Sequence, residues 1–191
     1  MAFDLGRAVL LSLLLALPAF GAEVAGVKIE DKARVGGAEL QLNGAGLRKR
    51  AFFQVYAIGL YLPERKTDAA AAVSSPGPKR VAIHMLRDVD AGTFTEALVE
   101  GIRANNPPAE MGALEPRVKE LAATMGELKE AKKGMTIALD WTGKATQLVV
   151  DGKATGKPIE GEDFYRALLR IWLGEKPVQD DLKKALLGAA Q

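Results

Sequence analysis

Between Arg48 and Tyr56 this 191-residue chain brings two guanidiniums, two phenylalanines and a phenol into nine positions, and little else in it offers chemistry. There is no cysteine and only one histidine, His84, so a single chain assembles neither a disulfide framework nor the usual zinc constellations. The serines are Ser12, Ser74 and Ser75. The last two sit in a small-residue loop that does not hold a hydroxyl rigidly against an imidazole, as a Ser-His-Asp hydrolase requires. No Gly-rich phosphate loop ending in Lys-Ser/Thr occurs, and Gly36-Gly37 lies outside any strand-to-helix dinucleotide pattern. What remains is chemistry carried by arginine, tyrosine, lysine and carboxylates, or binding without chemistry. No metal and no cofactor is expected. His84 shares its strand parity with Ala82 and Leu86 and reads first as a satisfied strand residue, with haem or metal ligation the lesser alternative.

These residues need a strand to position them. Ala51 to Leu62 is apolar on both parities, with Phe53, Val55, Ala57, Gly59 and Tyr61 on one and Phe52, Tyr56, Ile58, Leu60 and Leu62 on the other. Alternate side chains point to opposite faces, so neither face reads as solvated and the strand belongs inside the protein. Gln54 and the tyrosine hydroxyls then need partners, and Arg48 is near enough to be one. The basic triplet Arg48, Lys49 and Arg50 has a plainer reading as well: it solvates a hairpin turn, with Tyr56 a core tyrosine.

Around that strand the pattern predicts others at Val24 to Ile29, Ala38 to Leu42 (ending in an Asn43-Gly44 turn), Val81 to Leu86, Met135 to Trp141 and Gln147 to Val150. A short helical turn over Ala69 to Val73 has Asp68 as its cap. Thr93 to Ala104 reads as an amphipathic helix with Thr93 and Glu96 at capping-box spacing and Phe94, Ala97, Leu98, Gly101 and Ile102 as its stripe. Asn105-Asn106-Pro107-Pro108 stops it, and a further helix spans roughly Glu115 to Leu128. The chain ends in a helix striped by Phe164, Ala167, Leu168, Ile171 and Trp172, a stop at Gly174, and a shorter helix after Pro177. Strands grouped apart from helices argue for α+β, with helices packed on one face of an antiparallel sheet.

The first residues read as a secretory signal peptide: Arg7 in a short lead, the apolar run Ala8 to Leu17, then Pro18 and small residues to Ala22. The run is far short of the ~20 residues a membrane span needs, although Asp4 offsets Arg7 and an uncleaved anchor is the competing reading. The expected organisation is therefore a signal peptide over 1–22 and one domain over 23–191, soluble once processed and periplasmic or secreted. Cleavage removes one acid and one base, so the charge of +2 is unchanged. Such a balance predicts no strong pull toward nucleic acid, whose binding draws on a concentrated basic face, and no membrane span remains in the mature chain.

Three segments in order carry a family resemblance: Gly44 to Arg48 leading to Ala57 to Leu62 (AIGLYL), Lys79 to Asn105, and Phe164 to Gly188. Together they resemble the chalcone isomerase-like family, closest to its bacterial exported branch. The resemblance implies an open-faced β-sandwich. In the family's enzymes an arginine stabilises developing negative charge while tyrosine, threonine and asparagine assist; the arginine aligns with Arg48 here. The remaining positions depart: Tyr56 stands for the threonine, Phe94 for the tyrosine, Gly101 for the asparagine and Ile171 for a hydroxyl residue. A phenylalanine donates no hydrogen bond, which argues against chalcone cyclisation.

Non-catalytic relatives bind fatty acids through an arginine and a tyrosine, and Arg48 with Tyr56 would make that pair. The resemblance thus implies a fatty acid or small apolar carboxylate as ligand, in a cleft lined by Phe52, Ile58, Phe94, Leu98 and Ile171. Two other readings stay open: a structural or interaction module without ligand, and an isomerase or lyase of unknown substrate. The oligomeric state is not legible.

Overall fold

The computed structural model of the chain describes residues 21–189; the apolar run Ala8 to Leu17 lies outside them. A small hairpin, β1 (Ala22–Val24) and β2 (Val27–Ile29), opens the fold, followed by β3 (Lys32–Val35), β4 (Ala38–Arg50) and β5 (Phe53–Leu62). After α1 (Ala69–Ser74) come β6 (Lys79–Met85), the short β7 (Val89–Asp90), α2 (Ala91–Asn105) and α3 (Pro108–Gly126). Then β8 (Glu130–Ala131), β9 (Thr136–Trp141), β10 (Ala145–Val150) and β11 (Lys153–Glu160) precede α4 (Glu162–Leu173) and α5 (Asp180–Leu186).

Seven strands form one curled antiparallel sheet in the order β11-β10-β9-β6-β5-β4-β3. The helices cover one face. There Tyr56, Ile58, Leu60 and Leu62 of β5 and Val81, Ile83 and Met85 of β6 join the apolar stripes of α2, α3 and α4 in the main core. On the other face Ile29 of the opening hairpin packs in a smaller cluster with Leu40, Leu42, Ala57, Tyr61 and Ala82. The expected α+β class and one-sided helical layer are what the structure contains. Because β5 and β6 have an apolar cluster against each face, they needed the two-sided apolar run that marked β5 in the sequence.

Several expectations change. Val24 to Ile29 is a hairpin, because Ala25 and Gly26 both take positive φ, 51° and 78°, as a tight two-residue turn demands. Thr93 and Glu96 do not cap α2; Asp90 does, its Oδ1 accepting the Thr93 amide at 2.9 Å. The helix expected from Glu115 begins seven residues earlier, at Pro108, since a proline at the first helical position fixes φ and lacks only a donor with no partner in that turn. Ala97, expected on the buried stripe of α2, is exposed. Asp68 does cap α1, with Oδ1 2.8 Å from the Ala71 amide.

The largest correction concerns β4. Asn43-Gly44 is not a turn; the strand runs on to Arg50, and the reversal comes at Ala51-Phe52 between the paired residues Arg50 and Phe53. Asn43 is instead the extra residue of a β-bulge, falling between the pairs Leu42–Tyr61 and Gly44–Leu60. One inserted residue exchanges the two faces of every position beyond it. Leu40 and Leu42 face the opening hairpin, whereas Gly44, Gly46 and Arg48, of the same sequence parity, pair with Leu60, Ile58 and Tyr56 on the helix face. The Asn43 side chain holds the bulge: Nδ2 donates to the carbonyls of Lys66 at 2.9 Å and Leu186 at 2.7 Å, and Oδ1 accepts the Lys66 amide at 2.6 Å. Gly44 must lack a side chain, because a Cβ there would stand 2.2 Å from the Ala185 carbonyl oxygen of α5.

Candidate functional site

Arg48 and Tyr56 are cross-strand partners on the helix face of β4 and β5, so their side chains leave the sheet in the same direction. Tyr56 is buried and Arg48 half-buried. The phenol accepts a hydrogen bond from Trp172 Nε1 of α4 at 3.1 Å, and the Phe94 ring of α2 stands edge-on to it with centroids 6.3 Å apart. Burial pushes the Tyr56 hydroxyl above the usual tyrosine range, opposed in part by the Trp172 bond and the Arg48 charge. The phenol is therefore a proton donor at neutral pH.

Arg48 is held from the other side by the segment between α4 and α5. Its Nη1 donates to the backbone carbonyl of Lys49 and, at 3.4 Å, to Oε1 of Gln179. That same amide oxygen accepts the Lys49 N–H at 2.9 Å, while Gln179 Nε2 donates to the Leu47 carbonyl at 3.2 Å. Gln179 is thus a strap from the start of α5 to the end of β4. The sequence required partners for the tyrosine hydroxyls but did not single out Trp172 for Tyr56. For Gln179 there was no signal, since a lone glutamine between proline and two aspartates has no pattern.

Ile58, Phe94, Leu98 and Ile171, expected to line a cleft here, are all buried in the main core between sheet and helices, and neither of the two hollows described below is lined by them. Phe52 does not join them. It sits at the hairpin reversal with its side chain entirely in solvent, 102% exposed, because β5 begins only at Phe53. Two hollows lie elsewhere. One, of 870 Å³, runs between α1, α4 and the segment before α5, and its Arg166, Arg170 and Lys183 are bonded to Glu162, Asn106 with Glu110, and the Gly174 carbonyl. The other, of 390 Å³, is on the opposite face of the sheet and includes Tyr61, Arg80, His84 and Thr136.

The profile of the chalcone isomerase-like family matches residues 21–188. The chain belongs to the chalcone isomerase-like family. Among solved structures, the crystal structure of a fatty-acid binding protein from Arabidopsis thaliana is similar, with a TM-score of 0.65 and 12% identity. The match covers 85% of this chain and 92% of that chain. At that identity the likeness speaks for the fold alone. No curated protein matches the chain.

In this chalcone isomerase-like protein, Phe94, Gly101 and Ile171, which the resemblance set against polar groups, are part of the packing. Phe94 meets Tyr56 edge-on, and Gly101 of α2 lies so close to Ile171 of α4 that an added Cβ would come within 2.9 Å of its Cγ2. His84 lies on the face away from the helices, half-buried, with Nδ1 3.3 Å from Thr136 Oγ1. Among the described residues no group of three or more His, Cys, Asp or Glu is placed to hold a metal ion.

Burial lowers the His84 pKa below its ordinary 6.5. The unfolded chain then takes up the proton more readily than the folded one, so stability present above pH 6.5 is lost as pH falls through that value toward the folded pKa. Urea midpoints measured on either side of this window are expected to drop on acidification, and His84→Gln is expected to flatten that part of the profile.

Proposed function

We propose that this protein is an exported, non-catalytic binder of a fatty acid or another small apolar acid, with Arg48 and Tyr56 on the carboxylate. The observation that carries the reading is the bulge-directed placement of a half-buried guanidinium on the helix face, paired across the strands with a phenol that is buried in the apolar core. The side-chain acceptor Arg48 now has is a neutral amide oxygen at 3.4 Å; a carboxylate accepts more strongly and matches the guanidinium fork. A bound acid would replace Gln179 on Arg48 and insert its tail among Ile58, Phe94, Leu98 and Ile171. The plant protein of similar fold is described as a fatty-acid binding protein, which supports the same ligand class. Export rests on the leader-like residues before Ala22. Sequencing the N-terminus of protein recovered from the periplasm or medium tests it, and a chain retained whole in the cell overturns it.

One observation favours a second reading, a structural or interaction module with no ligand. The proposed cleft is occupied by its own side chains, with Ile58 and Ile171 at most 1% exposed and Trp172 bonded to the phenol. Native mass spectrometry of the purified protein, followed by solvent extraction, separates the two. Copurified acid that is lost on Arg48→Ala supports binding. A charge-assisted bond contributes about 1.5–3 kcal/mol, so affinity for an added acid is expected to fall roughly tenfold to a hundredfold. A protein that emerges empty, and takes up no added acid in either form, establishes the module.

A further inference from the structure

Folded proteins rarely place their largest apolar side chains at a tight reversal, where glycine, asparagine and aspartate predominate. Here the β4–β5 hairpin does. Phe52 is 102% exposed and Phe53 58%, the exposed large hydrophobic residues among those described. Beside them Lys49 and Arg50 are exposed on the same hairpin. Arg87, just past β6, lies with its guanidinium carbon 4.3 Å from the Phe53 ring centroid. Lys132 and Lys133, exposed before β9, extend this basic edge, since Lys133 N–H bonds Asp88 Oδ1 next to Arg87.

None of these five cations has an ion pair among the described residues. The neighbouring acids Asp88 and Asp90 are exposed, and each is bonded to a backbone amide, that of Lys133 at 2.7 Å and that of Thr93 at 2.9 Å. The edge is therefore an exposed aromatic tip flanked by five cations that have no ion pair among the described residues.

We propose that this tip docks the protein on an anionic lipid surface, with Phe52 and Phe53 entering the interface and Lys49, Arg50, Arg87, Lys132 and Lys133 facing the headgroups. A projecting tip inserts into a fluid layer without needing a matching groove, and aromatic rings flanked by basic residues suit the boundary between headgroup and acyl chain. The charge complementarity selects anionic over neutral lipid. The inference goes beyond the acid-binding reading and does not depend on it, although the tip lies next to Arg48.

Phe52→Trp in the otherwise unaltered chain places a local reporter at the tip, read against the parent protein, whose Trp141 and Trp172 are buried. With vesicles of phosphatidylcholine containing about one third phosphatidylglycerol, a blue shift and quenching by brominated acyl chains are expected, with little change on pure phosphatidylcholine. In vesicle sedimentation Phe52→Ser is expected to weaken binding by about tenfold or more. Arg50→Glu, a change of two charges at about fivefold each, is expected to weaken it about twenty-five-fold. Added salt lowers both signals.

The proposal is overturned if the Phe52→Trp emission ignores anionic vesicles, or responds equally to neutral ones. It is equally overturned if that emission is already blue-shifted in water, which means that the tip is covered by protein. Far-ultraviolet circular dichroism of each variant separates a docking defect from misfolding.

Discussion

Trp172→Ala is expected to lower the unfolding free energy by about 3–5 kcal/mol, the range found when a large buried aromatic is truncated and its surroundings close only in part. Trp172 is 1% exposed, is among the largest fully buried side chains and is the donor to the Tyr56 hydroxyl. The same change opens space directly beside Arg48 and Tyr56. Trp172→Phe keeps most of the volume while removing the N–H, so it isolates the hydrogen bond, whose loss costs about 1–3 kcal/mol if the buried phenol finds no replacement. Urea unfolding of the three proteins gives both quantities. A loss below about 1 kcal/mol for Trp172→Ala is incompatible with a closely packed cleft. In added-acid binding, Trp172→Ala is expected to accept bulkier apolar acids than the parent if Arg48 and Tyr56 hold the carboxylate.

Asn43→Ala is expected to cost roughly 2–4 kcal/mol, because it leaves the Lys66 amide and the Leu186 carbonyl without their side-chain partner in a poorly solvated seam. The backbone amide of Lys66 is expected to exchange with solvent faster, which amide hydrogen exchange measures. The consequence for the site is distinct from the loss of stability. If the bulge relaxes and β4 pairs without its extra residue, Gly44, Gly46 and Arg48 move to the face away from the helices. A variant that is destabilised yet still places Arg48 beside Tyr56 would show that the bulge is held by the Leu42–Tyr61 and Gly44–Leu60 pairs instead.

The class of fold and the central strand were legible because hydrophobic periodicity reports which faces are covered, and β5 is covered on both. Within the seven-stranded sheet the strands that escaped, β3 and β11, are its two edges. Their residues are largely exposed, so an apolar alternation was never required of them. Asn43-Gly44 misled for a different reason. Its composition is that of a turn, but its asparagine bonds a loop and a helix far away in sequence, at Lys66 and Leu186, and its glycine yields to the backbone of α5.

Pairing of Arg48 with Tyr56 was readable from residue types and the family resemblance. Their meeting on the helix face depends on the bulge, which no local pattern encodes. Phe52 was misplaced by assuming that the strand began at Ala51, an error of two residues that separates core from solvent at a hairpin end.

The order of strands has a kinetic consequence. Neighbours β3-β4-β5 and β9-β10-β11 are joined by short reversals and β5 reaches β6 through α1, whereas β6 meets β9 only after α2 and α3 have intervened. Local pairings close early because little loop entropy opposes them. The two meanders are expected to form quickly and their junction to be the slow step, which stopped-flow refolding of the parent and of Asp140→Asn would check. Across that junction Arg80 grips Asp140 with two bonds of 2.6 Å, a clasp that fastens only when both halves have come together.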